Sequence, residues 1–193
     1  MQKIILCLVL SLSAFVTTET NAWSWKSTEK KETRVQEIIL KEMDTQGFKA
    51  FRERYIEGSV ENRMINDRDT EEVTRARAIK EFGRNLPLGL ETPNNFIYDV
   101  VAKDTGKKVG TVWFLKYTEG ENPIFFLFDI RIFEEFQSKG YGTALLKLYE
   151  QKAKEIGAKK LRLHVFAHNQ GAKKLYEKMG FFLTGYNMAK NLN

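Results

Sequence analysis

Residues 137–143 read Gln137-Ser138-Lys139-Gly140-Tyr141-Gly142-Thr143, and the fold turns on them. Before them, after Pro123, runs the β-rich stretch Ile124–Ile132 (IFFLFDIRI). After them, from Gly142 to Ile156, Leu145, Leu148, Tyr149 and Ile156 form a helical stripe that Gly157 terminates. A glycine loop between a strand and a helix aims several unpaired backbone N–H groups at one spot, and the helix dipole adds positive potential there. Such a loop suits an anion of the pyrophosphate kind, and glycine lets the backbone come close to it. The phosphate loop G-x-x-x-x-G-K-[ST] is absent, and a dinucleotide loop would need glycine where Leu145 stands. What remains is Q-x-x-G-x-G or, without support elsewhere, an ordinary tight turn from strand to helix.

Working outward, Phe96–Ala102 (FIYDVVA) and Val109–Tyr117 (VGTVWFLKY) are strand-like and flank a hairpin turn at Asp104-Thr105-Gly106-Lys107. Val35–Lys41 forms a first strand. Thr45 then caps a helix whose apolar face is Phe48, Phe51, Tyr55 and Val60. Asp69 or Thr70 caps a second helix with Glu71 and Glu72 in its first turn, where the dipole favours them. Its buried side is marked by Val73, Ala76 and Phe82, and Pro87 ends the region. Downstream, Lys160–Phe166 (KLRLHVF) alternates as a strand. Ala172, Leu175, Tyr176 and Met179 mark a short amphipathic helix that Gly180 ends, and Phe181–Met188 supplies a last strand. The order β-α-α-β-β-β-α-β-α-β predicts an α/β (α+β) domain. Its sheet is mixed, mostly antiparallel and twisted, with helices on both faces.

A second stretch supports the first. Leu163–Phe181 reads LHVFAHNQGAKKLYEKMGF, a strand followed by Asn169, then Ala172, Leu175-Tyr176 and Gly180-Phe181. Together with Gln137-Ser138-Lys139-Gly140-Tyr141-Gly142, in this order and spacing, it resembles the two signatures of the GNAT acetyltransferases. Leu88-Gly89-Leu90-Glu91-Thr92-Pro93 looks like the bacterial members. The resemblance extends from about Val35 to the C-terminus.

The resemblance implies acetyl-CoA as acyl donor and a primary amine of a small molecule, peptide or protein as acceptor, joined by direct attack with no metal. It implies that the backbone of Ile130, Arg131 and Ile132 aligns the acetyl-pantetheine arm like an added strand. Gln137, Ser138, Lys139, Gly140, Tyr141, Gly142 and Thr143 would hold the pyrophosphate. Asn169 would cap the last helix and contact CoA. Tyr176 would protonate the leaving thiolate, which a phenol of ordinary pKa about 10 can do at neutral pH. His164 stands where ribosomal-protein acetyltransferases carry a glutamate base, and Asp129 is the rival base. Phe126 occupies the position of the catalytic glutamate in histone-type members, so that arrangement is absent. A CoA-binding module without turnover is the alternative.

Composition bounds the rest. The chain has 193 residues, of which 42% are hydrophobic and 29% charged, enough for one folded domain with a real core. The net charge of +6 is spread along the chain, and no nucleic-acid-binding pattern accompanies it, so no nucleic-acid partner is expected. His164 and His168 lie four apart on a strand and loop rather than a helix, which argues against a zinc pair. Met1–Ala22 has the character of a secretory signal: Lys3, an apolar run Ile4–Val16 too short to span a membrane, and Thr20-Asn21-Ala22 before Trp23. Residues 23–32 then form a linker and 33–193 the acetyltransferase domain. Cleavage would remove Cys7, the only cysteine, and leave an exported protein with no membrane span. If the leader is misread, the protein is cytoplasmic. A homodimer is compatible with all of this.

Overall fold

The computed structural model describes residues 36–67, 69–190 and 192; the expected leader and linker lie outside them. Strand β1 is Ile38–Glu42, followed by helices α1 (Thr45–Asp67) and α2 (Glu71–Asn85). Three long strands come next: β2 (Asn95–Ala102), β3 (Lys108–Glu119) and β4 (Asn122–Ile132). Helix α3 (Tyr141–Glu155), strand β5 (Lys160–Leu163) and helix α4 (Gln170–Lys178) complete the elements. The sheet has the order β1-β2-β3-β4-β5, antiparallel through β4 and parallel between β4 and β5. The expected mixed, mostly antiparallel sheet is the one observed.

Strand alternation divides the sheet into two faces. Val112 and Phe114 of β3, with Phe125 and Leu127 of β4, meet Leu145, Leu146 and Tyr149 of α3 and Tyr176 of α4. Phe114 stacks on Tyr149 with centroids 5.1 Å apart. The Tyr149 hydroxyl points its single proton at the carbonyls of Phe125 and Arg162, tying α3 across the β4–β5 pair. Burying a ring of this size stabilises by about 2–3 kcal/mol. On the other face Ile97 and Trp113 pack against Phe51 of α1 and Phe82 of α2, and Trp113 Nε1 donates to Asn95 Oδ1 at 2.7 Å. Helices therefore cover both faces.

Several local expectations are corrected. The cap of α1 is Asp44, not Thr45: its Oδ1 accepts from Gly47 N at 2.7 Å, a carboxylate placed where helix N–H groups lack partners. Thr70 caps α2, accepting from Val73 N. Val73 and Ala76 are exposed, and Thr74 and Ala78 join Phe82 on the buried stripe. Strand β5 stops at Leu163, short of Phe166, because its pairing with β4 ends at Leu127–Leu163. Phe181–Met188 is not a strand. Phe182, Tyr186 and Met188 are 77%, 81% and 96% exposed, so β propensity there has no ladder to join.

Candidate active site

After β4 the chain makes a short turn at Glu134–Phe136 and enters the glycine loop. Ser138 and Gly140 have φ of 57° and 94°, and the second value is one that glycine tolerates without strain. Gly140 is the N-cap of α3 and offers no side-chain cap, so the first-turn N–H groups of Tyr141, Gly142 and Thr143 are left for an outside acceptor. Gln137 Nε2 donates to Ile132 O at 3.0 Å and closes the loop onto the end of β4. Lys139 folds back, donating to Glu135 O and lying over the Phe136 ring. Gly142 has a different reason from Gly140: a Cβ there would stand 3.0 Å from Leu175 Cδ2, so its bareness lets α3 and α4 approach.

The second element is an unpaired edge. Trp113 faces Asp129 and Phe114 faces Leu127, so β4 has one extra residue, Phe128, at a bulge. Phe128 stacks on Trp113 with centroids 3.9 Å apart. Beyond the bulge β4 keeps β3 as partner, but β5 has already ended. The bond from Phe133 N to Val109 O sets the phase of the ladder. Antiparallel alternation then directs the backbone groups of Arg131 at β3 and those of Ile130 and Ile132 at the open edge. Of the three residues expected to align an extended arm, two therefore turn their backbone groups to that edge, where Ile132 O already accepts from Gln137 and the Ile130 N–H already donates to the Asp129 carboxylate.

The open edge borders a cleft of about 460 Å³ between α1, β4 and the loop after β5. Asp129, His164 and Asn169 line it, together with Gln137 and Ile130–Ile132. Desolvation pushes the Asp129 carboxyl up to about 6, against the pull of Arg131 and Arg54. His164 lies just past the end of β5, exposed at the rim, with its ring edge-on to Phe166 at 4.9 Å. Asn169 caps α4 by accepting from Ala172 N at 3.0 Å. Tyr176 is not on the cleft wall; it is 7% exposed in the core beneath α3. Burial, then the charge of Asp129, push its phenol up to about 12. A second groove, of about 520 Å³ beside β5 and the chain after Met179, holds none of the expected residues.

The acetyltransferase (GNAT) family profile matches residues 61–181, a span that begins in α1 and ends just past α4. The chain belongs to the GNAT acetyltransferase family. YycN of Bacillus subtilis (strain 168), an uncharacterized N-acetyltransferase, is 32% identical over 155 residues, covering 80% of this chain and 99% of the relative. YdgE of the same organism, also an uncharacterized N-acetyltransferase, is 28% identical over 155 residues, covering 80% and 98%. The crystal structure of YycN superposes with a TM-score of 0.76 over 81% of this chain and 99% of that one. AAC(6')-Iy, solved with the bisubstrate analogue CoA-S-monomethyl-acetylneamine, shares the fold at a TM-score of 0.51 and 14% identity, covering 81% and 99%.

In this GNAT chain the α1 residues of the wall carried no site role in the sequence reading, which placed Tyr55 only on that helix's apolar face. Arg54, Tyr55, Gly58, Ser59, Asn62 and Arg63 all line the cleft. Their signal was available: 54, 58 and 62, like 55, 59 and 63, are spaced by one helical turn. The Tyr55 phenol is pushed up to about 12 by burial and then by Asp129, so two phenols feel that carboxyl. His168, set aside as a zinc ligand, bridges α1 to the loop before α4. Its Nδ1 lies 2.8 Å from Asn66 Nδ2 and its Nε2 2.9 Å from Asn62 Oδ1. Among the described residues no group of three or more His, Cys, Asp or Glu is placed to hold a metal ion.

Proposed function

We propose that this chain is an acetyl-CoA-dependent N-acetyltransferase acting on a primary amine. One observation carries the reading: the open edge of β4 leads from Asp129 in the cleft to the glycine loop and the uncapped N-terminus of α3. An extended thioester arm fits along Ile130 and Ile132 as an added strand. The first-turn amides of α3, approached past Gly140, suit a pyrophosphate. The CoA analogue bound by AAC(6')-Iy, a protein of the same fold, supports that choice of ligand.

Acetyl-CoA supplies the activated acyl carbon. Asp129, with its carboxyl near 6, is mostly ionised at neutral pH yet more basic than an ordinary carboxylate, which suits removal of the proton from the attacking amine. Tyr176 keeps its proton at that pH and, standing behind the cleft wall, passes it to the leaving thiolate through a bridging water. His164, on the rim of the same cleft, is the second candidate base.

Calorimetric titration with CoA followed by acetylation of an amine panel tests this. Asp129→Asn should lower turnover roughly 10²–10⁴-fold, the usual range for general acid–base work, and His164→Gln much less. If His164→Gln carries the large loss instead, the base is His164. Wild-type protein that shows no CoA binding removes the whole reading. Tight CoA binding without turnover on any amine leaves a CoA-binding module.

A further inference from the structure

The sheet face that looks toward α1 carries a cross-strand row of Asp99, Thr111 and Arg131. Asp99, at its far end, is engaged by Lys108 at 2.6 Å. Thr111 is 1% exposed and its Oγ1 has no hydrogen-bond partner among the described residues, although the residue lines the cleft. Above the row, Arg54 of α1 lays its guanidinium over Phe133 at 5.1 Å, and its Nη2 is buried without a partner. Arg131 completes the group. Its exposed side chain reaches α1 at Gly58, where a Cβ would stand 2.9 Å from Nη1. A glycine inside a helix costs about 1 kcal/mol relative to alanine, and here it leaves room for a guanidinium.

Charge points the same way. The cleft is lined by Arg54, Arg63 and Arg131 against Glu81 and Asp129. Arg63 is held by Glu81 at 2.6 Å. Asp129 attracts both remaining arginines, and Asp99, which Lys108 already engages, adds to its pull on Arg54, so no carboxylate in the cleft is left to Arg131 alone. Arginine has donors and no acceptor, and the Thr111 hydroxyl can donate, so what would satisfy all three is an acceptor carrying negative charge. Buried donors left without acceptors are rare in folded proteins.

We infer that Arg54, Thr111 and Arg131 form an anion subsite beside Asp129, and that the acceptor is an amine bearing a carboxylate or phosphate. The inference rests on the cleft being the acetyl-transfer site. Asp129 receives the amine while the arginines and the threonine hold the anionic group, which selects acidic amines over their neutral analogues.

The test uses matched acceptors at equal ionic strength: phosphoethanolamine against ethanolamine, and β-alanine against β-alaninamide. kcat/KM is read for each pair, and CoA affinity separately. Wild-type protein should favour the anionic member by about tenfold or more, as charge-assisted pairing implies. Arg54→Gln should bring the ratio toward one. Gly58→Ala should do the same by displacing the Arg131 guanidinium while Tm stays at or above the wild-type value, which separates loss of the subsite from loss of the fold. Equal kcat/KM for both members in the wild type overturns the inference and leaves acetyl transfer standing. So does a variant that loses CoA affinity with an unchanged acceptor ratio, since the arginines would then hold the cofactor's phosphates. If the wild type neither binds CoA nor acetylates, the transfer reading fails. The subsite is then decided by thermal shift alone: stabilisation by phosphoethanolamine but not ethanolamine supports it, and equal stabilisation overturns it.

Discussion

Asp129→Asn separates what the cleft costs in stability from what it does. The carboxyl has a pKa of about 6 against an ordinary 3.8, because desolvation outweighs attraction by Arg131 and Arg54. Between those values the folded chain holds a proton that the unfolded chain has released, so stability falls as pH rises through the window. At 1.36 kcal/mol per pH unit the full loss is about 3 kcal/mol. Water reaching a half-buried side chain screens part of it, which leaves about 1–2 kcal/mol as the expected size. The amide keeps the shape of the carboxyl and never ionises. The variant should therefore match wild type near pH 4 and exceed it by about 1–2 kcal/mol above pH 7, while its turnover falls. Urea unfolding of both proteins from pH 4 to 8 measures this, and the difference between them cancels every other titrating group. A difference that does not change with pH, or a variant less stable than wild type at pH 7, would refute the reasoning.

Tyr176→Phe keeps the ring in its 7% exposed site and removes the proton. Turnover should drop roughly 10²–10⁴-fold with CoA affinity held, whereas unchanged turnover in a chemistry-limited assay returns Tyr176 to packing alone. Gly140→Val puts a β-branched residue at φ 94° where the backbone must stay bare. CoA binding should be lost and the fold weakened by roughly 1–3 kcal/mol; a variant that still gives the wild-type binding heat would move the pyrophosphate elsewhere. For the leader, mass spectrometry of exported protein should find a chain beginning at Trp23, and an intact Met1 on membrane-bound protein would instead indicate an anchor.

Element order, the glycine loop and the Asn169 cap were legible in the sequence because each is settled by neighbours within about one turn of helix or one strand. Gly140 needs its own φ, Asn169 caps an amide three residues on, and the alternation of β4 assigns its side chains to two faces. The same local signals misjudged Phe181–Met188, where strand propensity meets no partner. The bulge at Phe128 was also invisible, since it depends on β3 supplying Trp113 to stack against. Tertiary structure alone decided which base candidates share a cleft, that Tyr176 sits behind its wall, and that Arg54, Thr111 and Arg131 meet. Those three come from α1 and from the β3–β4 hairpin, which follows α1 at a distance in the chain, and the Asp129 carboxyl is shifted by desolvation among the elements packed around it. Periodicity records which face of an element is buried. Which side chains stand opposite one another across that face, and how much water reaches them, is set only when the layers close.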